Sequence, residues 1–144
     1  MKISVKKLHP EATLPTYGSD FAAGADLYAL SPEPIRIAPG ETVLVHTGIA
    51  MEIPEGYGGF LYARSGLATK KGLAPANKVG VIDADYRGEI MVALHNHSSE
   101  EREIAQGERI AQLVIAPFLK ASFEEAEELC DSVRGAGGFG STGK

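Results

Sequence analysis

Glycine and proline divide this chain into short extended runs, and that spacing limits the fold more than any other feature of the sequence. With 17 glycines and 8 prolines in 144 residues, few stretches are long enough for an ordinary helix. Residues 3–8 alternate as a first strand, residues 15–23 are rich in turn formers, and residues 25–29 resume an extended pattern. Pro32, Pro34, Pro39 and Gly40 isolate a brief strand at 35–37. Residues 42–46, 49–53 and 57–62 follow as β-branched or aromatic runs, separated by Gly48 and by Pro54-Glu55-Gly56. Such spacing predicts an all-β sandwich or barrel rather than alternating strands and helices. Residues 65–71 are the one short helix predicted in the first half. Further on, residues 89–97, 103–105 and 109–119 read as strands. Residues 121–129 have the composition of a helix, but an edge strand accommodates them equally well.

One domain accounts for this length and for 44% apolar and 23% charged residues. Fourteen Lys and Arg against 19 Asp and Glu give a net charge of −5, which argues against a broad nucleic-acid or membrane-binding face. A polyanionic ligand must then be held locally. The lone Cys130 forms no intrachain disulfide, and no charged-then-apolar leader precedes the first strand, so a reducing, cytoplasmic setting is expected. No apolar run approaches the length of a bilayer span.

Chemistry concentrates in a few stretches. Residues 77–91 carry two apolar, alternating arms around a polar tip, Asp83-Ala-Asp85-Tyr86-Arg87-Gly88, and predict a β-hairpin. Two acids beside an aromatic and a cation at a loop tip suit catalysis, although spacing alone does not choose between Asp83 and Asp85. Residues 134–144 hold five glycines among two cations, two hydroxyls and Phe139, an inventory able to wrap phosphates and stack on a base. They cannot build a core, so residues 1–133 are expected to form the folded body and 134–144 a mobile arm. The arm is not a P-loop, because the Gly-x-x-x-x-Gly-Lys spacing into a helix is missing. Arg64, Ser65 and Gly66 open the short helix as an anion seat, and Gln112 is a polar residue inside an apolar strand. His95 and His97 share one strand face, but two ligands do not make a metal site.

Together with Gly24-Ala-Asp26-Leu-Tyr, these stretches form five motifs in fixed order. The set Ala-Gly-Ala-Asp-Leu, Ala-Arg-Ser-Gly-Leu-Ala, Gly-Val-Ile-Asp-Ala-Asp-Tyr-Arg-Gly-Glu, Gly-Glu-Arg-Ile-Ala-Gln-Leu and Arg-Gly-Ala-Gly-Gly-Phe-Gly-Ser-Thr-Gly resembles the trimeric deoxyuridine triphosphatases, from about residue 10 to the end. The resemblance implies a jelly-roll β fold, a homotrimer with active sites shared between subunits, and hydrolysis of dUTP to dUMP and pyrophosphate. That activity limits uracil in DNA and supplies dUMP for thymidylate synthesis.

Carried onto this sequence, the resemblance makes Asp83 the water-activating base and Tyr86 the platform under the deoxyribose. Asn77, Val81, Ile82 and Met91 surround uracil. Arg64, Ser65, Gly66 and Gln112 hold phosphates, Arg134 and Ser141 clamp the outer ones, Phe139 covers the base, and Gly140 beside it is a further substrate-binding residue. Asp26 is the supporting acid. Attack at the α-phosphorus also calls for a divalent cation, expected to be Mg²⁺ held mainly by the triphosphate and water, since the sequence offers no carboxylate cage. Two other functions remain open at this stage. A dCTP deaminase of related fold needs an acid at the cytosine ring, for which Glu89 is the one candidate in the 77–91 stretch. A dUTP sensor without turnover fits poorly with an intact Asp83 and a complete arm.

Overall fold

The computed structural model describes residues 1–138. Among these residues, twelve strands carry the fold, with one helical turn. In chain order they are β1 (Ser4–Lys7), β2 (Thr16–Tyr17), β3 (Ala25–Tyr28), β4 (Ile35–Ile37), β5 (Thr42–His46), β6 (Ile49–Glu52), β7 (Tyr57–Tyr62), β8 (Leu73–Pro75), β9 (Gly80–Ile82), β10 (Met91–Asn96), β11 (Arg102–Ile104) and β12 (Arg109–Pro117). A five-stranded sheet runs β2-β3-β12-β7-β9, a three-stranded sheet runs β5-β10-β8, and β1-β6 and β4-β11 form two-stranded ribbons. All pairings are antiparallel. Sequence neighbours repeatedly lie in different sheets, which makes the architecture a jelly-roll-like β-sandwich.

Every sheet contributes to one core. Leu27, Leu61, Ile82, Ile110 and Leu113 from the larger sheet meet Val45, Leu73, Val92 and Leu94 from the smaller one. On β10 burial alternates strictly, with Val92, Leu94 and Asn96 inward and Met91, Ala93 and His95 outward, as a period of two requires. The inward Asn96 is fully buried yet satisfied, donating to Ile37 O and Glu100 O and accepting from the Ser98 amide.

The expected strands at 35–37, 42–46 and 57–62 have the predicted bounds. The expected helix is a π-helical turn, Leu67–Lys71, preceded by Ser65 and Gly66 in helical conformation. Two expectations are overturned. Residues 77–91 are not a hairpin: β9 pairs with β7, whereas β10 lies between β5 and β8, so the acidic tip is a loop crossing from one sheet to the other. Each arm gains more by joining a sheet that already buries one face than by pairing with its sequence neighbour. Residues 121–129 form neither helix nor strand but an exposed irregular segment, with Phe123 at 95% and Leu129 at 89% exposure. Nine residues rich in like charge do not sustain a helix without a packed face.

Candidate active site

The anion seat is built around Asp26. Its side chain is buried in β3, opposite Gln112 of β12, and its two oxygens receive Arg64 Nε at 2.6 Å and Arg109 Nη1 at 3.1 Å. One carboxylate thus orients two guanidiniums, each of which keeps further N–H donors for a ligand. Ser65 and Gly66 are exposed at the start of the helical turn, beside an open cleft of about 500 Å³ that Asp26, Arg64, Lys70, Arg109 and Gln112 also line. Lys71, at its edge, is tied to Glu108 at 2.6 Å.

Two backbone features create this grouping. A register shift between Arg109 and Ala111 lets Ile110 and Ala111 both enter the core, so Arg109 and Gln112, three residues apart, line the same cleft. An unbroken strand would send them to opposite faces. Gly24 supplies the second feature, since a Cβ there would lie 2.5 Å from Gln112 Oε1. Without that atom the Gln112 side chain folds down and donates through Nε2 to Ala63 O at 2.9 Å.

The acid-tipped loop lies elsewhere. Val81 is 63% exposed on the edge strand β9, Ile82 is buried, and Asp83 and Asp85 are exposed just beyond it. Exposed Asn77 precedes the strand, and half-buried Met91 begins β10 opposite His46. The Tyr86 amide donates to Asp83 O at 3.2 Å, closing a tight turn, and its hydroxyl donates to Glu89 O at 2.9 Å. Arg87 is occupied by Ala84 O at 2.6 Å and lies near Glu52.

The end of the loop is clamped. Glu89 Oε1 accepts the Gly48 amide at 2.8 Å and Oε2 meets His46 Nδ1 at 2.8 Å. Burial works against the Glu89 charge, but the His46 imidazole and the Gly48 and Thr47 amides outweigh it and hold the carboxyl below the usual carboxylate range.

The structure therefore brings Asp26, Arg64, Ser65, Gly66 and Gln112 together, and sets Asp83 and Tyr86 apart from them. Ile82 pairs with Gly59, so Asp83 follows at the Gly58 end of β7, whereas Arg64 follows Tyr62 at the other end. At ~3.3 Å per residue, the strand between Gly58 and Tyr62 alone spans roughly 13 Å. Arg134 is in neither group; its Nε donates to Gly137 O at 2.7 Å within its own turn. Phe139, Gly140 and Ser141 lie outside the described residues. His95 and His97 stack edge-on with ring centroids 4.3 Å apart, and the described residues hold no cluster of three or more metal-ligating side chains.

Sequence reasoning passed over Arg109 and Lys70 as cleft residues, and His46 altogether. The paired apolar residues Ile110 and Ala111 after Arg109 were the available sign of the register shift; nothing in the sequence points to His46.

An all-β sandwich with an arginine-lined cleft at the margin of its larger sheet is a scaffold for a small phosphorylated ligand. The dUTPase family model matches residues 10–143, and the chain belongs to that family. The deoxyuridine 5'-triphosphate nucleotidohydrolase of Nautilia profundicola is 54% identical over 144 residues, with 100% of both chains covered. That of a Hydrogenobaculum species is 53% identical over 143 residues, with 99% of each covered. Among solved structures, the Staphylococcus bacteriophage 80alpha dUTPase with dUpNHpp matches with a TM-score of 0.90 at 31% identity, covering 99% of each chain. A mutant dUTPase from phage phi11 of S. aureus, described for its coordination of a structural Mg(II) ion, matches with a TM-score of 0.79 at 27% identity, covering 89% of this chain and 98% of that one.

Proposed function

We propose that the chain hydrolyses dUTP to dUMP and pyrophosphate at sites assembled between subunits of a homotrimer. The observation that carries this reading is the division of the motif residues into a phosphate seat and an acid-tipped loop at opposite ends of β7. Neither half is sufficient alone. One subunit offers Arg64, Ser65, Gly66 and Gln112 to the phosphates, with Asp26 bracing Arg64. Another offers Asn77, Val81, Ile82 and Met91 around uracil, Tyr86 beneath the deoxyribose, and Asp83 to take the proton of the attacking water. Arg134 and the arm beyond it, with Phe139, Gly140 and Ser141, close over the ligand, so that residues 1–133 are the body and 134–144 the clamp.

Hydrolysis at the α-phosphorus develops charge on the leaving pyrophosphate, and the Arg64 guanidinium, oriented in advance by Asp26, is placed to meet it. The donor set suits Mg²⁺ carried in by the triphosphate: Asp26 is engaged by two arginines, which leaves the ion's shell to phosphate oxygens and water. When bound, the ion spreads the charge of the phosphates. No helix among the described residues is long and apolar enough to cross a membrane.

Pyrophosphate release is the test. With Mg²⁺, dUTP should yield dUMP and pyrophosphate in equal amounts, and dCTP should yield no ammonia. Ammonia from dCTP, or dUTP bound but left intact, overturns the reading.

A further inference from the structure

The Tyr86 ring lies along its own loop. A Cβ at Gly88 would come within 2.6 Å of Tyr86 Cζ, and the hydroxyl is fixed to the carbonyl of Glu89 at 2.9 Å. The plane of the ring therefore depends on where the backbone of residues 88 and 89 sits. That backbone is fastened to the turn joining β5 and β6. Glu89 takes the Gly48 amide and His46 Nδ1 on its two oxygens, the Ile90 amide donates to Ile49 O at 2.9 Å, and Thr47 Oγ1 donates to Ile90 O at 2.5 Å. The main-chain and threonine bonds hold residue 90. Among the described residues, the Glu89 side chain alone ties residue 89, whose carbonyl anchors the tyrosine, to that turn.

We infer that Glu89 is a positioning residue for sugar selection: by clamping the 83–90 loop to Gly48 and His46 it sets the Tyr86 ring against C2′ of the nucleotide. The inference rests on Tyr86 being the deoxyribose platform. A glutamate that merely stabilised the turn would, when removed, lower turnover of every nucleotide alike. A positioning glutamate, when removed, changes which sugar is accepted, because a tilted ring no longer meets a 2′-hydroxyl with an apolar face. Its carboxylate is suited to this task, as two charge-assisted hydrogen bonds to separate donors fix both oxygens.

The test compares the ratio of kcat/KM for UTP to that for dUTP in the full chain, together with amide hydrogen exchange of residues 83–90. In Glu89→Ala the ratio should rise about tenfold, and the Tyr86 amide should exchange at least about tenfold faster, while the amides of Ile90 and of residues 64–71 stay unchanged. Glu89→Gln, which keeps an acceptor for Gly48, should bring the ratio back to within about threefold of the wild type. If Glu89→Ala does not fold, His46→Ala removes one of the two anchors at an exposed side chain and should raise the ratio about threefold. An unchanged ratio in the folded variant, or Glu89→Gln as permissive as Glu89→Ala, overturns the inference. Should the wild type leave dUTP untouched, the proposed function falls and the sugar-selection inference falls with it, whereas an unchanged ratio in an active enzyme overturns the inference alone.

Discussion

Asp26 grips Arg64 through Nε, at 2.6 Å, and not through the terminal nitrogens of the guanidinium. The stem of the arginine is thereby fixed while its terminal nitrogens keep their donors, which suits the proposed phosphate seat. Asp26→Asn should consequently raise KM for dUTP about tenfold or more and weaken the fold. Loss of a buried ion pair often costs about 3–5 kcal/mol, but Arg109 is half exposed, so roughly 1–3 kcal/mol is expected. Urea titration and Michaelis curves measure the two effects; unaltered KM together with lowered stability would confine Asp26 to a structural part.

Gly24 and Gln112 are coupled through a single missing methyl. Gly24→Ala places a Cβ 2.5 Å from Gln112 Oε1, so the Gln112 amide must shift, which should weaken its bond to Ala63 O. We expect about a tenfold loss of kcat/KM from Gly24→Ala, a similar loss from Gln112→Ala, and little more from the double variant, because the first change already removes what the second deletes. Fully multiplicative losses would show that Gly24 acts by another route.

Asp83→Asn should lower kcat about 10²- to 10⁴-fold with dUTP binding nearly unchanged, since the amide keeps the shape but not the basicity. Asp85→Asn should cost less than about threefold. Both acids are exposed beyond β9 and belong to one turn, which Asp83 opens by accepting the Tyr86 amide on its carbonyl and in whose middle Asp85 stands. Equal losses from the two substitutions would end the assignment.

The lowered pKa of Glu89 has a defined consequence for stability. Because the folded chain holds its carboxylate more strongly than the unfolded chain does, the contribution is complete above the unfolded pKa and disappears as pH falls through the lower, folded one. The advantage in Tm of the wild type over Glu89→Gln should therefore shrink steadily in acid below about pH 4.3, the ordinary glutamate value. A difference that grew in acid would contradict the hydrogen-bonding account of Glu89.

The strands most legible in the sequence were those with β-branched runs between glycine and proline, such as Thr42–His46 and Tyr57–Tyr62, because their ends are marked by residues that cannot continue a ladder. The site was legible where a motif is contiguous, as at Arg64, Ser65 and Gly66. It was not legible where chain reversal decides the contact. Nothing local to residues 77–91 says that β9 joins β7 while β10 joins β5, and the pairing of His46 with Glu89 spans 43 residues. Long-range pairing depends on which sheet has a free edge, a property of the whole fold.

The separation of the two halves along β7 leads to a complementation experiment. Asp83 and Arg64 belong to opposite ends of that strand, and Arg134 bonds only within its own turn among the described residues. If sites are shared, the arm of one chain serves the loop of another. A chain ending at Val133 should fold and assemble but lose most activity, and so should a full-length Asp83→Asn chain. In mixed trimers of the two, an intact arm from the Asp83→Asn chain can close over the Asp83 of a shortened neighbour, and activity should return to a substantial fraction of the wild-type value. Purified mixed trimers as inactive as either parent would mean that each arm serves its own loop, and the shared-site model would fail.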